Sequence, residues 1–585
     1  MGLTILVITI LVLLLAYRYY TVRKVNQNVE PGWSRSTPSR RYMDSVEFMP
    51  SPTGILAGFQ FKSISLDVII GPVIAIQFGW LPAILWLLIG AVFFGWVQDY
   101  LVTIMSMRKA GKPVSDLIGS YFNPTARSVI LIFIFIYLLI ILGRFGLLLS
   151  TLLGKENIPF SILFLVLTGF LAGLMIYRWR FNLILATLLS LLIASLGFWF
   201  SSIPKIQNIV ASINEIILDQ GSLKLQSSII SGDISWHSLI WIVILFSICY
   251  LGAILPIWQF SVPFNYVSSW IVIIGIGLAV IGLLLGTFNG SINAVFEIPP
   301  LVTTSQPNLG PIWPILFVTL SSGAVSGWHS LVSSFSTSRQ VEKEPLALPV
   351  TTGAMFAETV MVAIIIIFAA TFGISSGAFN SEQNFSLTAG PASVFATGLA
   401  RTWNVIGFSE STGRSFSALF LTLMGITVLQ LVLRFARIVN ADLIGTRISA
   451  LRNPKLGTLF VIILTLIIVV FGFWQSLWVL FAGANQLLAA VVLLLISTWL
   501  VKHGKSFWWT LLPAGFLFMT ALAALFYSAI YQALFQQIIF GSEINPALIL
   551  GNTITVGFGL LFIIAGSYLF FIGIRALNRA RITES

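Results

Sequence analysis

The sequence predicts an all-α, polytopic integral membrane protein with about 15 transmembrane helices. Of its 585 residues, 57% are hydrophobic and only 9% are charged, and the mean hydropathy is +0.99. Soluble domains carry about 25% charged residues, so this composition excludes a soluble globule. Apolar runs of roughly 20 residues, each long enough to cross a bilayer as a helix, recur along the whole chain.

The first apolar run has no basic residue before it and no small-residue cleavage site after it, which predicts a retained span rather than a signal peptide. The single cysteine, Cys249, excludes an intramolecular disulfide. We place the spans near residues 3–17, 54–79, 81–106, 128–149, 158–177, 181–202, 236–259, 267–288, 311–336, 349–374, 414–433, 457–474, 477–501, 507–530 and 550–574.

Basic residues fall in every second loop, except the uncharged loop near Phe264, and this alternation predicts the orientation of the chain. The basic segments are 18–41, 108–112, 178–180, 339–343, 434–455, 502–505 and 575–581. Because basic loops stay in the cytoplasm, we expect a plasma (inner) membrane protein with its N-terminus outside and its C-terminus in the cytoplasm. These loops account for the net charge of +12, so no nucleic-acid partner is expected.

Two polar segments interrupt the apolar pattern. The first, Gly54 to Asp67, contains Lys62, and a charge near the bilayer centre costs about 2.5–3.5 kcal/mol. On a regular helix Lys62 and Asp67 would lie about 140° apart, so they can pair only if the backbone unwinds. The second segment, Gly323 to Ser334, shares the order Gly-x-x-x-Gly, aromatic residue, amide or imidazole, and then Ser.

The two segments begin spans 2 and 9, so they cross the membrane in opposite directions. Transporters built from inverted repeats have two such discontinuous helices, which meet at the midplane. Gly-x-x-x-Gly is also a common close-packing motif, so the match by chance stays open. The predicted division is 1–53 (N-terminal helix and cytoplasmic loop), 54–202 (first five-helix repeat), 203–310 (outer loop and two inserted helices), 311–505 (second repeat) and 506–585 (peripheral helices).

Charged residues within the spans are the candidates for chemistry. Lys62 could receive a substrate carboxylate or simply extend to the interface. His329 can gain and lose a proton near neutral pH, although a buried histidine also serves as a structural hydrogen-bonding group. Glu358 lies near mid-membrane, where it could relay protons or pair with His329. Asp99 could bind an ion or cap a kink.

Four blocks of sequence resemble the carbon starvation (CstA) family of transporters, and the resemblance covers most of residues 45–530 in order. The blocks are Gly79–Ala83 leading to Gln98–Tyr100, Ser326–Ser334, Gly353–Met355 followed by Glu358, and Leu480–Ala490. The resemblance implies a LeuT-like (APC-type) core and uptake of a small organic acid such as pyruvate, or of peptides, with a proton or another cation.

The reasoning from residues and the resemblance together select the candidate site. The expected coupling residues are Asp67, Asp99, His329 and Glu358. The expected substrate-binding residues are Gln60, Lys62, Ser63, Asp67, Ser326, Gly327, His329, Ser330, Ser333, Ser334, Asn485 and Gln486. The serines could instead bond to their own helix, and Asn485 and Gln486 could serve close packing.

The chain departs from the family pattern at several positions, which suggests a divergent member. Gln60 stands where the family usually has His, and Ser65 to Ile69 replace a glycine-rich run. Gln430 replaces an Asp-Thr pair, and Phe264-Asn265-Tyr266 replaces Arg-Asp-Tyr. These changes motivate an alternative function, a non-transporting sensor or complex subunit with the same fold.

We expect no enzyme activity and no cofactor or metal. The chain has no Walker A loop and no His-Glu-x-x-His motif. The segment Gly373–Gly377 matches the Gly-x-Ser-x-Gly pattern of a nucleophile elbow. It lies at the end of a predicted membrane helix, however, and not in the strand–turn–helix context that the motif requires. The expected partners are a small-molecule substrate, protons or another cation, and the lipid bilayer, with a partner subunit or a homo-oligomer left open.

Overall fold

The computed structural model describes residues 1–63, 66–155, 157–218, 222–226, 231–307, 309–381, 385–388, 390–470, 478–540 and 546–584. Ile64 and Ser65, in the first polar segment, lie outside the described residues. The helices are α1 Gly2–Val29, α2 Thr53–Lys62, α3 Asp67–Ala75, α4 Trp80–Arg108, α5 Val114–Tyr121, α6 Pro124–Leu153, α7 Pro159–Arg178, α8 Leu183–Ser201, α9 Pro204–Leu218, α10 Trp236–Ile254, α11 Ser261–Phe288, α12 Ile312–Thr319, α13 Ser321–Ala324, α14 Gly327–Phe335, α15 Glu344–Phe372, α16 Pro391–Val405, α17 Glu410–Leu443, α18 Pro454–Val470, α19 Trp478–Val501, α20 Trp508–Ile539 and α21 Pro546–Glu584.

The helical, membrane-spanning class is confirmed. Within the described ranges, twelve helices are long and apolar enough to cross a membrane, and the bent pair α2 and α3 makes a thirteenth. The apolar helix α18 is shorter. Each predicted span overlaps a helix or an interrupted helix, while the total of about 15, the inverted repeats and the five-part division of the chain stay predictions.

The loops contain structure that a search for long apolar runs does not detect. Helices α9 and α16 lie between predicted spans, after 181–202 and after 349–374, and have 15 residues each. The three antiparallel strand pairs are β1 Ser222–Gln226 with β2 Ser231–Ser235, β3 Ser305–Gln306 with β4 Gly310–Pro311, and β5 Phe379–Asn380 with β6 Ser386–Leu387. These elements are too short or too polar to resemble spans.

Both predicted discontinuous helices are interrupted. Helix α2 ends at Lys62 and α3 begins at Asp67, with a bend of 48° between them. The second interruption follows α13, where Val325 (φ −157°, ψ 120°) and Ser326 (φ −125°, ψ 126°) are extended before α14 begins. We call these two places the first break and the second break.

Hydrogen bonds connect the end of α2 with α14 and with the turn that follows α14. Gln60 donates to Ser333 Oγ (3.3 Å) and accepts from Thr337 Oγ1 (2.5 Å). Further along α2, the Ser63 carbonyl accepts from Trp328 Nε1 (2.8 Å), near the start of α14. The partners therefore run in opposite order along the two helices, as the opposite crossing directions predict.

The repeated Gly-x-x-x-Gly pattern does not occupy corresponding positions in the two segments. Gly54 and Gly58 both lie inside α2, before the first break, whereas Gly323 and Gly327 lie on opposite sides of the second break. The pattern therefore predicts which two segments are discontinuous, but its glycines do not mark equivalent positions in them.

Ion pairs join the loops predicted to be cytoplasmic. Glu344 contacts Arg108 (2.6 Å) and Arg35 (3.2 Å), and Lys505 contacts Glu30 (2.7 Å). Such contacts require these loops to share one end of the helix bundle. Which side of the membrane that end faces stays a prediction.

Gly95 on α4 allows a close approach to the second break. A Cβ atom at Gly95 would lie 2.4 Å from the carbonyl oxygen of Ala324 and 2.9 Å from Met355 Cε. Gly353 on α15, in contrast, has open space around the corresponding position. The absence of a side chain at Gly95 thus lets α4 pack directly on the end of α13.

We predict that Gly95→Ala destabilises the protein by about 1–3 kcal/mol, because the added methyl group overpacks a backbone contact. The matched change Gly353→Ala should be neutral or stabilising by up to about 1 kcal/mol, as is usual for Gly→Ala where space allows. Thermal unfolding of both purified variants in detergent measures the difference. Equal midpoints for the two variants would refute the close contact.

Candidate functional site

The centre of the candidate site is an imidazole held between two carboxylates. His329 Nδ1 lies 3.2 Å from Asp99 Oδ2, and His329 Nε2 lies 3.6 Å from Glu358 Oε2. All three side chains are at least 97% buried. The structure thus brings together three of the four predicted coupling residues in direct contact.

The second break places His329 in this contact. Because α14 begins only at Gly327, the imidazole lies in the first turn of a short helix that starts inside the bundle. Asp99 is on α4, one turn beyond the close contact at Gly95, and the adjacent Gln98 donates to the carbonyl of Ser326 (2.7 Å). This bond satisfies a backbone group that the break leaves outside a helix.

Asp67, the fourth coupling candidate, begins α3 at the first break and is buried. The two breaks contact each other, because the Ser63 carbonyl at the first break accepts from Trp328 Nε1 in the first turn after the second break (2.8 Å). The coupling role of Asp67 stays a prediction.

Asn485 positions the start of α14. Its Oδ1 accepts from the Trp328 backbone N–H (2.9 Å) and from Tyr137 Oη (2.9 Å), and its side chain also bonds to Ser326. A Cβ at Gly327 would lie 2.3 Å from the Asn485 carbonyl oxygen. Asn485 and Gly327 thus stabilise the backbone at the second break. Contact of either residue with substrate stays a prediction.

Gln486, the neighbour of Asn485, is different. It is fully buried, and neither polar atom of its side chain has a hydrogen-bond partner in the described part of the chain. A buried amide without partners is costly, so Gln486 remains a candidate for contact with a polar ligand.

Lys62 is buried at the end of α2, next to the first break. Its Nζ lies 5.9 Å from the centre of the Phe420 ring, and no described residue forms a hydrogen bond or ion pair with it. The side chain does not extend to the surface, as the interfacial alternative would require. Burial without a partner disfavours the charged form of a lysine, and a bound anion would favour it. Lys62 is therefore suited to an anionic ligand.

Most of the candidate serines bond within the protein. Ser330 Oγ donates to the Gly327 carbonyl (2.6 Å), and Ser334 Oγ donates to the Ser330 carbonyl (2.8 Å). Ser63 Oγ donates in the same way to the Gln60 carbonyl (2.7 Å). These bonds agree with the structural alternative for the three hydroxyls, while their role towards a ligand is untested.

Three aromatic residues at the site were not predicted. Trp328 bonds across to Ser63, Tyr137 bonds to Asn485, and Phe420 contacts Lys62. Tyr137 is the only tyrosine in the apolar run of α6, which is a signal that could have been noticed. Trp328 and Phe420 carry no comparable signal, because aromatic residues are frequent in the chain.

Two of the departures from the family pattern contact each other. Gln430 Nε2 donates to Asn265 Oδ1 (3.1 Å), and Gln430 Oε1 accepts from Ser261 Oγ (3.3 Å). A pair of neutral amides therefore occupies a buried position where the resemblance leads us to expect charged residues.

Arg434 does more than hold a helix end at the membrane surface, which was the simplest interpretation of its sequence position. It is 1% exposed and pairs through NH1 with Glu47 Oε1 (2.7 Å), while NH2 donates to the Gly252 (3.0 Å) and Leu255 carbonyls. Glu47 belongs to the loop before α2, so the pair joins that loop to α17.

The family model described as carbon starvation protein CstA matches residues 1–382 and 374–524. The chain belongs to this family. It is 25% identical to the peptide transporter CstA of Escherichia coli over 89% of this chain and 80% of that protein. It is 26% identical to the pyruvate/proton symporter BtsT of Escherichia coli over 90% of this chain and 81% of that protein. It is 27% identical to the peptide transporter CstA of Bacillus subtilis over 89% of each chain.

This chain is distantly similar to a solved transporter structure. A manganese transporter of Eremococcus coleocola, in complex with an aromatic bis-isothiourea substituted compound, is 13% identical with a TM-score of 0.39. The match covers 91% of this chain and 99% of the other. In the described ranges, no group of three or more His, Cys, Asp and Glu side chains is arranged to hold a metal ion.

We predict that Glu47→Gln destabilises the protein by about 1–3 kcal/mol, because the buried Arg434 loses its charged partner. The control is Glu410→Gln, whose pair with Arg414 is exposed and should contribute less than about 0.5 kcal/mol. Unfolding midpoints of both variants give the comparison. A loss for Glu410→Gln that matches the loss for Glu47→Gln would contradict the account.

Proposed function

We propose that this protein is a secondary active transporter that imports a small organic acid or a peptide, coupled to protons or another cation, by alternating access around the two breaks. Transport rather than catalysis is supported by the names of the family relatives, a peptide transporter and a pyruvate/proton symporter. We place the protein in the plasma (inner) membrane, with the N-terminus outside and the C-terminus in the cytoplasm.

The observation that carries the proposal is the contact of His329 with Asp99 and Glu358. Three ionisable side chains buried inside a membrane bundle are costly, and such groups commonly form proton pathways. In this arrangement the imidazole can take up a proton between two carboxylates, and its charge then draws both of them to α14. A change of protonation therefore changes the force that holds α4 and α15 against the second break.

Lys62 supplies the other half of the proposed site. Its amine is buried, has no acidic partner among the described residues and lies at the first break. A substrate carboxylate would favour the charged form and complete an ion pair. Because α2 ends at this residue, movement of the break would carry the ammonium with it.

A non-transporting sensor or complex subunit is the second candidate. Leu66, Val68 and Ile69, which occupy the segment that is glycine-rich in the family, are buried apolar residues. Such packing could hold the first break rigid and abolish movement. Flux measurements separate the two functions.

The decisive experiment is uptake into liposomes that contain the purified full-length protein, driven by an imposed pH gradient. Pyruvate, other short carboxylic acids, amino acids and short peptides serve as labelled substrates. Accumulation of one of them that a protonophore abolishes supports the proposal. If none of these substrates is transported, although cooperative unfolding shows that the protein is folded, the proposal is refuted and the sensor is favoured.

We predict that Glu358→Gln abolishes accumulation driven by the pH gradient but leaves substrate exchange intact. Glutamine keeps the shape of the side chain beside His329 but cannot carry a proton. Exchange without a pH gradient and uphill uptake are measured on the same liposomes, with Glu410→Gln as the exposed control. Full accumulation in the Glu358→Gln variant would remove Glu358 from the coupling role.

We predict that Lys62→Met raises KM for a carboxylate substrate about 10- to 100-fold, which corresponds to the 1.5–3 kcal/mol of a charged hydrogen bond. The same change should stabilise the empty protein, because it removes a buried polar group that has no hydrogen-bond partner among the described residues. Lys62→Arg, which keeps the charge, is the matched variant for KM. A destabilised Lys62→Met protein with unchanged KM would show a purely structural role.

A further inference from the structure

A polar cavity lies at the end of the bundle where the predicted cytoplasmic loops meet. It has a volume of about 650 Å³, within the usual range of ligand pockets. Five cationic side chains line it, together with one carboxylate: Arg35, Arg41, Arg108, Lys109, Lys112 and Glu344. This cavity is separate from the buried cluster around His329.

The single carboxylate is already neutralised. Glu344 Oε1 accepts from Arg108 Nε (2.6 Å), and its Oε2 accepts from the Gly32 backbone N–H (2.7 Å) and from Arg35 NH1 (3.2 Å). Its side chain is 3% exposed. Glu344 therefore fixes two guanidinium groups in the cavity wall and leaves the cavity with a large excess of positive charge.

The other three cations have no counter-charge. Arg41, Lys109 and Lys112 are exposed, and none forms an ion pair with a described residue. Arg41 and Lys109 contact aromatic rings, Tyr42 at 5.4 Å and Tyr121 at 5.7 Å, which support the side chains without neutralising them. Their charges come from two different segments and converge on one concave surface.

We propose that this cavity is a binding site for a phosphate-bearing anion. Arginine forks and lysine point charges are the groups that recognise phosphate oxygens. Arg108 ends the membrane-spanning helix α4, so Lys109 and Lys112 lie at the depth where lipid headgroups begin. The phosphate can thus belong to an anionic lipid, as in basic pockets of other membrane proteins, or to a soluble phosphorylated molecule.

The test uses the purified, delipidated full chain in detergent, with two probes. Pyrophosphate represents the soluble source, and phosphatidylglycerol in mixed micelles represents the lipid, with phosphatidylcholine as its neutral reference. Binding is measured by titration calorimetry for the wild type, for Arg41→Gln/Lys109→Gln/Lys112→Gln, and for the control Arg447→Gln/Arg452→Gln/Lys455→Gln. The control removes the same charge from another predicted cytoplasmic loop.

Saturable binding of either probe by the wild type is expected, weakened at least about tenfold in the first triple variant and little changed in the control. Binding of pyrophosphate identifies a soluble ligand, whereas binding of phosphatidylglycerol alone identifies a lipid. Because the three side chains are exposed and not ion-paired, the variant should keep its unfolding midpoint. Absence of binding by both probes, or equal losses in both triple variants, would overturn the proposal.

Discussion

The contact of His329 with Asp99 and Glu358 is the interaction on which the rest of the site depends. It joins three helices that would otherwise bury separate charges in the membrane interior. The helices that carry the two carboxylates, α4 and α15, also meet at one end, where Arg108 of α4 and Glu344 of α15 form an ion pair. The same two helices are thus tied together both at the buried cluster and at the predicted cytoplasmic end.

The cluster can form only because the backbone of the second break is satisfied by neighbours. Non-helical backbone at membrane depth survives where protein groups replace the lost hydrogen bonds. Gln98 binds the Ser326 carbonyl, and Asn485 binds the Trp328 N–H. Asn485, an expected substrate-binding residue, thus also holds the start of the short helix that carries His329. The buried side chains of Lys62 and Gln486, in contrast, have no hydrogen-bond partner among the described residues.

The helices and the charged site residues were predictable because each leaves a strong signal in one dimension. Spans are long apolar runs, and Lys62, Asp99, His329 and Glu358 stand out within them. The contacts between them depend on packing that single-residue patterns do not encode, such as the absence of a side chain at Gly95. The repeated glycine pattern shows the limit: it marked both interrupted segments, yet its glycines lie at different positions relative to the two breaks. The helices α9 and α16 leave no long apolar run at all.

The central claim concerns the proton form of the proposed coupling: substrate and protons cross the membrane together, and His329 carries the coupling. The most direct measurement is the pH inside liposomes, followed by an enclosed dye, while a downhill gradient of the transported substrate is imposed without any initial pH difference. The account predicts that substrate entry acidifies the lumen in the wild type, and that His329→Gln admits substrate without acidification. Substrate entry with no pH change in the wild type, or unchanged acidification in the His329→Gln variant, would contradict it.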